Sequence, residues 1–415
     1  MNEHENDELA TRLTRTLTDQ ADVMAGSSLA LATVQGRARR IRRRRAATAV
    51  VAAAAAVAVV VPTVALASHT GGRPEPAPAT QTPSRTLTTT DPAQPKAGVL
   101  DVSDLPTGAP PALEYLRSGR LHFIDGGSGT VNTQHTPVAF LDMYDGSRVW
   151  QTSQGSASYI EIQDTDGTFH EPVRTSLGLR TNPGHTIAAW LTTSGQVVVW
   201  EAGATDPRPL GDPVPGSELT LGAVSGNDCS LACTVYVNTA DAQGNLQPWE
   251  VTDSGSQPAR DGSYLTVADV ASNGLTIGLD KISDSGSCSK LLGGGEFQGF
   301  STCRNTLVSF SPDGRLVLAD PAYHDGIGNG EIAMYRTDGG DPLFQRHSTE
   351  SAQSFYPEAR WEDATHVLAP VFQDGQWSIV RIGSDGSMEY AVAPVPGTDA
   401  NSPFVLATGG TAYGD

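Results

Sequence analysis

The chain has 415 residues, which allows more than one structural region and a large buried core. It carries 27 Lys and Arg residues against 46 Asp and Glu residues, and residues 1–45 alone hold 9 basic and 6 acidic ones. The rest of the chain therefore has a net charge of −22, which repels nucleic acid and argues against it as a partner.

The first predicted element is a short amphipathic helix near the N-terminus, within residues 8–34. Leu9, Leu13 and Leu17 recur there at helical spacing, and mostly polar residues separate them. Two interpretations stay open. The helix either lies solvated at a membrane surface or docks onto a cytoplasmic partner.

A membrane span is predicted next, over residues 46–67. These 22 residues carry no charge and can cross roughly 30 Å of hydrocarbon at about 1.5 Å per residue. Because cytoplasmic flanks are rich in basic residues, the asymmetry predicts a single-pass protein of the cell membrane, with residues 1–45 in the cytoplasm and the C-terminal domain outside. The seven arginines that set this topology are Arg37, Arg39, Arg40, Arg42, Arg43, Arg44 and Arg45.

Two other interpretations of the same segment are weaker. A nucleic-acid patch does not explain the apolar run that directly follows the arginines. A cleaved secretory signal is supported by Ala65, Leu66 and Ala67, which have the small-x-small form of a cleavage site. However, about 45 residues precede the apolar run, far more than in a typical signal peptide. An uncleaved anchor is therefore favoured.

Residues 68–110 are predicted to form a disordered stalk. The stretch is rich in Pro, Thr and Ala and contains no aromatic residue. It cannot bury enough apolar surface to offset the entropy of ordering the chain. It is therefore expected to link the membrane to a folded domain that begins at residue 111.

From residue 111 the chain changes to short alternating apolar runs separated by Gly, Asp and Ser. Examples are RLHFIDGG (120–127), SYIEIQDTDG (158–167) and WSIVRIGSDG (377–386). Alternation that ends in Asp-Gly or Ser-Gly is typical of β-hairpins, and no stretch here has a helical period. The region is therefore expected to be all-β.

These glycine turns recur along the region, at Gly126, Gly167, Gly255, Gly339 and Gly386. The intervals are 41, 88, 84 and 47 residues, and a candidate turn falls midway in each long interval. A period of about 40–47 residues predicts seven units, each the length of a four-stranded propeller blade. A β-sandwich or solenoid is the structural alternative.

One unit, SFSPDGRLVLADPAYHDGIGNGEIAMYRTDGGDP (309–342), resembles the repeat of TolB-like propellers. In that repeat a strand leads into an SPDG turn, here residues 311–314, and two further strands follow. The next unit, 359–386, has the same outline, but WED (361–363) replaces the motif. The resemblance implies a WD-repeat-like β-propeller and says little about function.

The two ends of this region predict how the ring closes. The first unit, 112–133, has room for two or three strands, whereas SPFVLATGG (402–410) is a strand left over after the seventh unit. A C-terminal strand that completes the first blade would remove an open sheet edge. We therefore expect a seven-bladed propeller closed by its C-terminus.

Four cysteines in an exported domain indicate disulfides. Cys229 and Cys233 flank a short turn, and Cys288 and Cys303 bracket a Gly-rich insert, so local pairing is favoured among the three possible connectivities. Metal ligation is the alternative, but no histidine lies beside either pair.

No motif with a known chemistry occurs in the chain. G-x-S-x-G, H-E-x-x-H, the phosphate loop and the dinucleotide-binding fingerprint are all missing, so no cofactor is expected. Asp325, Asn329 and Glu331 are weak candidates for Ca²⁺ ligands because they offer oxygen donors within one short segment. A hairpin turn explains the same segment more simply.

Three functional hypotheses follow. The leading one is a non-enzymatic, membrane-anchored, extracytoplasmic propeller that binds a protein or cell-envelope ligand on one face. The second is a transmembrane regulator whose cytoplasmic helix binds a transcription factor such as a sigma factor, a layout that resembles actinobacterial membrane regulators. The third is a propeller hydrolase or lyase that uses carboxylates around the central channel.

Overall fold

The computed structural model describes residues 96–176, 178–241, 243–259, 263–283, 286–293, 299–323 and 328–408. The chain divides into two units, 1–88 and 89–415, and the described residues all belong to the second. The predicted N-terminal helix, the seven arginines and the span 46–67 therefore lie outside the described residues. In the part that is described, no helix is long and apolar enough to cross a membrane.

The described residues form seven sheets, each a blade of a β-propeller. Blade one contains β2 (Tyr115–Arg117), β3 (Arg120–His122), β4 (Ser128–Thr130) and β29 (Phe404–Leu406). Blade two contains β5 (Thr136–Asp142), β6 (Arg148–Gln154), β7 (Ala157–Gln163) and β8 (Val173–Thr175). Blade three contains β9 (Leu179–Thr181), β10 (Ile187–Leu191), β11 (Val197–Glu201) and β12 (Arg208–Leu210).

The remaining blades follow the same order. Blade four contains β13 (Ser217–Ser225), β14 (Thr234–Ala240), β15 (Leu246–Thr252) and β16 (Gly255–Pro258). Blade five contains β17 (Thr266–Val270), β18 (Thr276–Ser283), β19 (Gly286–Leu292) and β20 (Phe300–Thr302). Blade six contains β21 (Asn305–Phe310), β22 (Leu316–Pro321), β23 (Glu331–Arg336), β24 (Pro342–His347) and an added strand, β1 (Lys96–Val99). Blade seven contains β25 (Arg360–Trp361), β26 (His366–Gln373), β27 (Gln376–Gly383) and β28 (Met388–Pro396).

The four main strands of each blade pair antiparallel and are arranged in order outward from the central channel. The turns between first and second strands, and between third and fourth strands, therefore lie at the same end of the ring. We call this end the first-turn face and the other end the second-turn face. The turns between first and second strands comprise residues 143–147, 182–186, 226–233, 271–275, 311–315 and 362–365.

Glycines in the hairpin turns of the blades have a local role. In the turn of blade two, Gly146 has φ of 86° and its N–H donates to the Met143 carbonyl at 2.9 Å. Side chains with a Cβ rarely adopt that backbone conformation, so glycine is required there. The five glycines that set the predicted period lie at the turns between third and fourth strands of blades one, two, four, six and seven: Gly126, Gly167, Gly255, Gly339 and Gly386. The predicted seven-bladed propeller is confirmed.

The core lies between neighbouring blades rather than within one blade. The second strand of blade three, β10, is covered on both faces by adjacent sheets, so it reads IAAWL and is buried at every position. Apolar side chains from blades three and four, for example, form one cluster. Four tryptophans are fully buried in this packing: Trp150, Trp190, Trp200 and Trp377.

The C-terminal strand closes the ring, as predicted. β29 pairs antiparallel with β2, with Leu406 opposite Tyr115 and Phe404 opposite Arg117. Just after β29, Ala407 bridges in parallel to Phe140 of the neighbouring blade. β29 is thus the innermost strand of blade one, and Phe404 and Leu406 are 2% and 1% exposed.

The folded domain begins earlier than the sequence indicates. The predicted stalk reaches residue 110, but β1 pairs in parallel with β24, and residues 100–114 continue past blade seven to blade one. Leu100 and Val102 are 0% and 5% exposed and join the core of blades six and seven. The sequence did not indicate this, because the two apolar residues lie in a Pro-rich stretch whose overall composition is typical of a disordered segment.

Both predicted disulfides are present. Cys229 pairs with Cys233 in the first turn of blade four, and Cys288 pairs with Cys303 across the outer strands of blade five. The described residues contain no free cysteine. Local pairing is therefore correct, because each pair closes a turn or joins adjacent strands.

An ion-pair network joins blades one and two. The Arg148 guanidinium donates to Glu114 Oε2 at 2.7 Å and to Asp142 Oδ1 at 2.9 Å. Burial, together with the neighbouring Glu114 carboxylate, raises the pKa of Asp142 to about 7. The single positive charge of Arg148 is therefore shared between the carboxyl groups of Glu114 and Asp142.

This network predicts a pH dependence of stability. An unfolded aspartate has a pKa of about 3.9, so between roughly pH 4 and pH 7 the folded protein holds a proton that the unfolded chain has lost. The free energy of unfolding should therefore fall as pH rises through this window and level off above it. Urea unfolding at several pH values should give a flatter profile for Asp142→Asn than for the wild type. Asp166→Asn, at an exposed turn, is the control, and equal slopes in all three proteins would contradict the prediction.

Candidate functional site

The weak metal candidates do not form a metal site within the described residues. The Asn329 amide donates to Asp320 Oδ2 at 3.0 Å, and Glu331 Oε1 accepts a hydrogen bond from the Gln345 amide at 2.9 Å. Asp325 lies outside the described residues. No group of three or more His, Cys, Asp or Glu side chains in the described part of the chain could hold a metal ion.

A cavity of about 190 Å³ lies at the first-turn face, where the central channel opens. The innermost strands of blades three to seven line it, together with the turns between first and second strands of blades three, five and six, and Thr408, just after β29, adds to the wall from blade one. The side chains that matter most for its chemistry are Arg180, Asp269, Ser309, Arg360 and Trp361.

Arg180, in the innermost strand of blade three, places a guanidinium in this cavity. Its Nε donates to the Gly222 carbonyl at 3.2 Å. Burial lowers the pKa of Arg180 and the positive charge of Arg360 lowers it further, whereas the carboxylates of Asp269 and Glu358 raise it. No carboxylate in the described residues lies within the ion-pair distance of 4.0 Å from this guanidinium.

Arg360 comes from β25 of blade seven and is only partly neutralised. Its Nη2 donates to Glu358 Oε2 at 2.7 Å. Its Nε is buried and has no hydrogen-bond partner among the described residues. The next residue, Trp361, donates from its indole nitrogen to Ser309 Oγ at 3.1 Å, which fixes the ring against blade six.

Asp269 is the acidic group of the cavity, and its carboxylate is already engaged by the backbone. Oδ1 accepts from the Val270 N–H and Oδ2 from the Phe310 N–H, both at 2.8 Å. Burial raises the pKa of Asp269, against these hydrogen bonds, which lower it. The side chain therefore ties blade five to blade six, and both of its oxygens are used in that contact.

The wall between blades three and four is held rigidly. Asn182 is fully buried, and its amide nitrogen donates to the Gly226 carbonyl and to Asn227 Oδ1, both at 2.9 Å. Its own oxygen accepts from the Thr186 and Ile187 N–H groups. The first turns of the two blades are thus fixed to one another before any ligand binds.

Apolar side chains surround the cavity on the first-turn face. A second cavity of about 570 Å³ adjoins the first and shares Pro183 and Pro312 with it. Farther out, Tyr144 is 81% exposed in the turn between the first and second strands of blade two, and Leu231 is 83% exposed inside the Cys229–Cys233 loop. Ile124 lies in the turn between the third and fourth strands of blade one and is 51% exposed on the same face.

The residues that line the cavity at the mouth of the channel were not predicted from the sequence. Arg180, Asp269 and Arg360 lie about 90 residues apart along the chain, so no local motif connects them. The sequence contains one indication of the site. In blade seven WED (361–363) replaces the SPDG motif, and its Trp361 lines the cavity.

The strand pairing and the channel-mouth site define this chain as a seven-bladed β-propeller. No protein-family model and no curated protein matches its sequence. Solved propellers are similar to it in structure. The WD40 repeats of RRP9 have 10% identity and a TM-score of 0.45, and the match covers 71% of this chain and 86% of that one.

Two further solved structures are similar at the same level. The β-propeller domain of Cps50 (Swd1) from Myceliophteria thermophila has 10% identity and a TM-score of 0.44, over 65% of this chain and 89% of that one. YCF48 bound to D1 peptide has 12% identity and a TM-score of 0.41, over 69% and 86%. The seven-bladed architecture itself rests on this chain's own strand pairing.

Proposed function

We propose that this protein is a membrane-anchored, extracytoplasmic binding module that recognises a protein ligand through its first-turn face. One observation carries the proposal. Tyr144 and Leu231 are the most exposed large apolar side chains of the described residues, and both stand on that face. Apolar side chains that remain in water on a rigid surface gain free energy when a partner covers them.

The surface around these two residues also suits a protein partner. Interface centres are rich in aromatic side chains, and the surrounding polar groups supply hydrogen bonds. Here the buried Asn182 network holds the neighbouring turns in place, so binding costs little ordering of the receptor. Asp269 has both oxygens hydrogen-bonded to backbone N–H groups, which fixes blades five and six to one another beside the channel mouth.

Site-specific photocrosslinking tests the binding face. A photoreactive phenylalanine analogue replaces Tyr144 in one variant and Tyr323 in the other. Tyr323 is the matched control because it is 44% exposed on the second-turn face, between β22 and β23. In cells, the Tyr144 variant should give a discrete crosslinked protein that the Tyr323 variant does not give. The same crosslinks from both positions, or none from Tyr144, would contradict the proposed face.

The membrane part of the proposal rests on the arginine asymmetry and on the disulfides. Disulfides persist in oxidising compartments outside the cytoplasm. All four cysteines of the chain are paired, so a single cysteine introduced at residue 20 or at residue 400 would be the only free thiol. A membrane-impermeant thiol reagent should label residue 400 and not residue 20 in intact cells. A processed protein that begins near residue 68 would refute the anchor.

A further inference from the structure

We propose that the channel-mouth cavity is a carboxylate-binding site, which receives an acidic side chain or a C-terminal carboxylate of a peptide ligand. This inference rests on the proposed protein-binding function and names the chemistry of the ligand. Arg180 and Arg360 are the residues assigned to hold the carboxylate, and Trp361 forms the wall beside it.

The arrangement of charge carries this inference. Arg180 has no carboxylate within ion-pair distance among the described residues, and Arg360 uses Nη2 on Glu358 while its Nε has no partner there. The two guanidiniums lie close enough for the charge of Arg360 to lower the pKa of Arg180. An oxyanion placed between them would relieve this repulsion and accept charge-assisted hydrogen bonds, which are about twice as strong as neutral ones.

The acidic groups already present fill that role only in part. Asp269 accepts one backbone N–H on each of its oxygens and attracts Arg180 through its charge, but it lies beyond the ion-pair distance of 4.0 Å from the guanidinium. Glu358 neutralises one arginine only. Two cations therefore converge in a domain whose net charge is otherwise strongly negative.

The size and walls of the cavity favour a peptide carboxylate over a phosphate group. About 190 Å³ is room for one side chain. Phe310, Pro312 and Trp361 line the cavity beside the arginines, and such walls suit the methylene groups of a peptide. Because the domain repels multiply charged anions, a single carboxylate on an otherwise neutral peptide meets a smaller barrier than phosphate.

Calorimetry on the full chain in detergent micelles tests the inference. The probes are acetyl-Ala-Glu-Ala-amide, acetyl-Ala-Ala-Ala with a free C-terminus, acetyl-Ala-Gln-Ala-amide and inorganic phosphate. One or both carboxylate peptides should bind at least about tenfold more tightly than the Gln peptide, since a hydrogen bond to a charged group contributes about 1.5–3 kcal/mol. The comparison of the first two peptides identifies the source of the carboxylate.

Two variants make the assignment specific. Arg180→Gln and Arg360→Gln should each lose this preference by about tenfold or more. Arg336→Gln is the matched control, because Arg336 pairs with Asp338 on the exposed surface. Thermal melting confirms that each variant is folded, and either folded arginine variant suffices for the test.

The outcomes separate this inference from the proposed function. Equal binding of the Glu, Gln and C-terminal peptides, tighter binding of phosphate, or full binding by both folded arginine variants would overturn the carboxylate site. A crosslink from Tyr144 that persists in the arginine variants would then leave the protein-binding face intact. Peptide binding without any crosslink from Tyr144 would instead support the carboxylate site and refute the proposed face.

Discussion

Leu406→Ala is expected to lower the free energy of unfolding by about 2–5 kcal/mol, although the residue lies close to the C-terminal Asp415. Leu406 is 1% exposed in β29 and belongs to the apolar cluster that contains Leu368, Trp377 and Ile379 of blade seven. Truncation to alanine removes these contacts between blades one and seven and leaves a cavity in the core.

Urea unfolding of the full chain measures this effect. Leu231→Ala is the matched control, because Leu231 is 83% exposed and its truncation should change stability by less than about 0.5 kcal/mol. Removal of residues 402–415 should have a larger effect, since it exposes the edges of two blades. Equal stability of the wild type and the truncated chain would show that β29 does not close the ring.

Arg381→Met is expected to cost about 3–5 kcal/mol, because it leaves a buried carboxylate without its cation. The Arg381 guanidinium donates to both oxygens of Glu362, whose side chain is 2% exposed. It also donates to the Ala109 and Pro110 carbonyls at 3.0 and 2.9 Å. One side chain therefore fastens the N-terminal segment to blade seven.

The pH dependence of this variant distinguishes charge from packing. A buried carboxylate without a cation destabilises the folded state only while it is charged, so the variant should be least stable at high pH and recover partly on acidification. Arg336→Met is the control, because Arg336 and Asp338 are 60% and 62% exposed and such pairs contribute less than about 1 kcal/mol. A loss of stability in Arg381→Met that is the same at all pH values would point to packing alone.

The repeat, the closing strand and the disulfides can be predicted from the sequence because each depends on short-range chemistry. Gly126, Gly167 and Gly386 have φ of 85°, 87° and 82°, a conformation that favours a hairpin turn, and the recurrence of such turns at a regular interval indicates a propeller. SPFVLATGG is identified by counting strands, since one strand is missing at the start and one remains at the end. Cys229 and Cys288 each have a partner nearby in sequence.

The sequence by itself thus determined an all-β, seven-bladed ring and the way in which it closes. Only the tertiary structure showed that β1 pairs with β24, about 250 residues away, and that Arg180, Asp269 and Arg360 meet at the channel mouth. The physical reason is that a hairpin is fixed by the backbone of four or five adjacent residues. A channel is instead made by the innermost strands of all blades, whose mutual positions depend on how the whole ring packs.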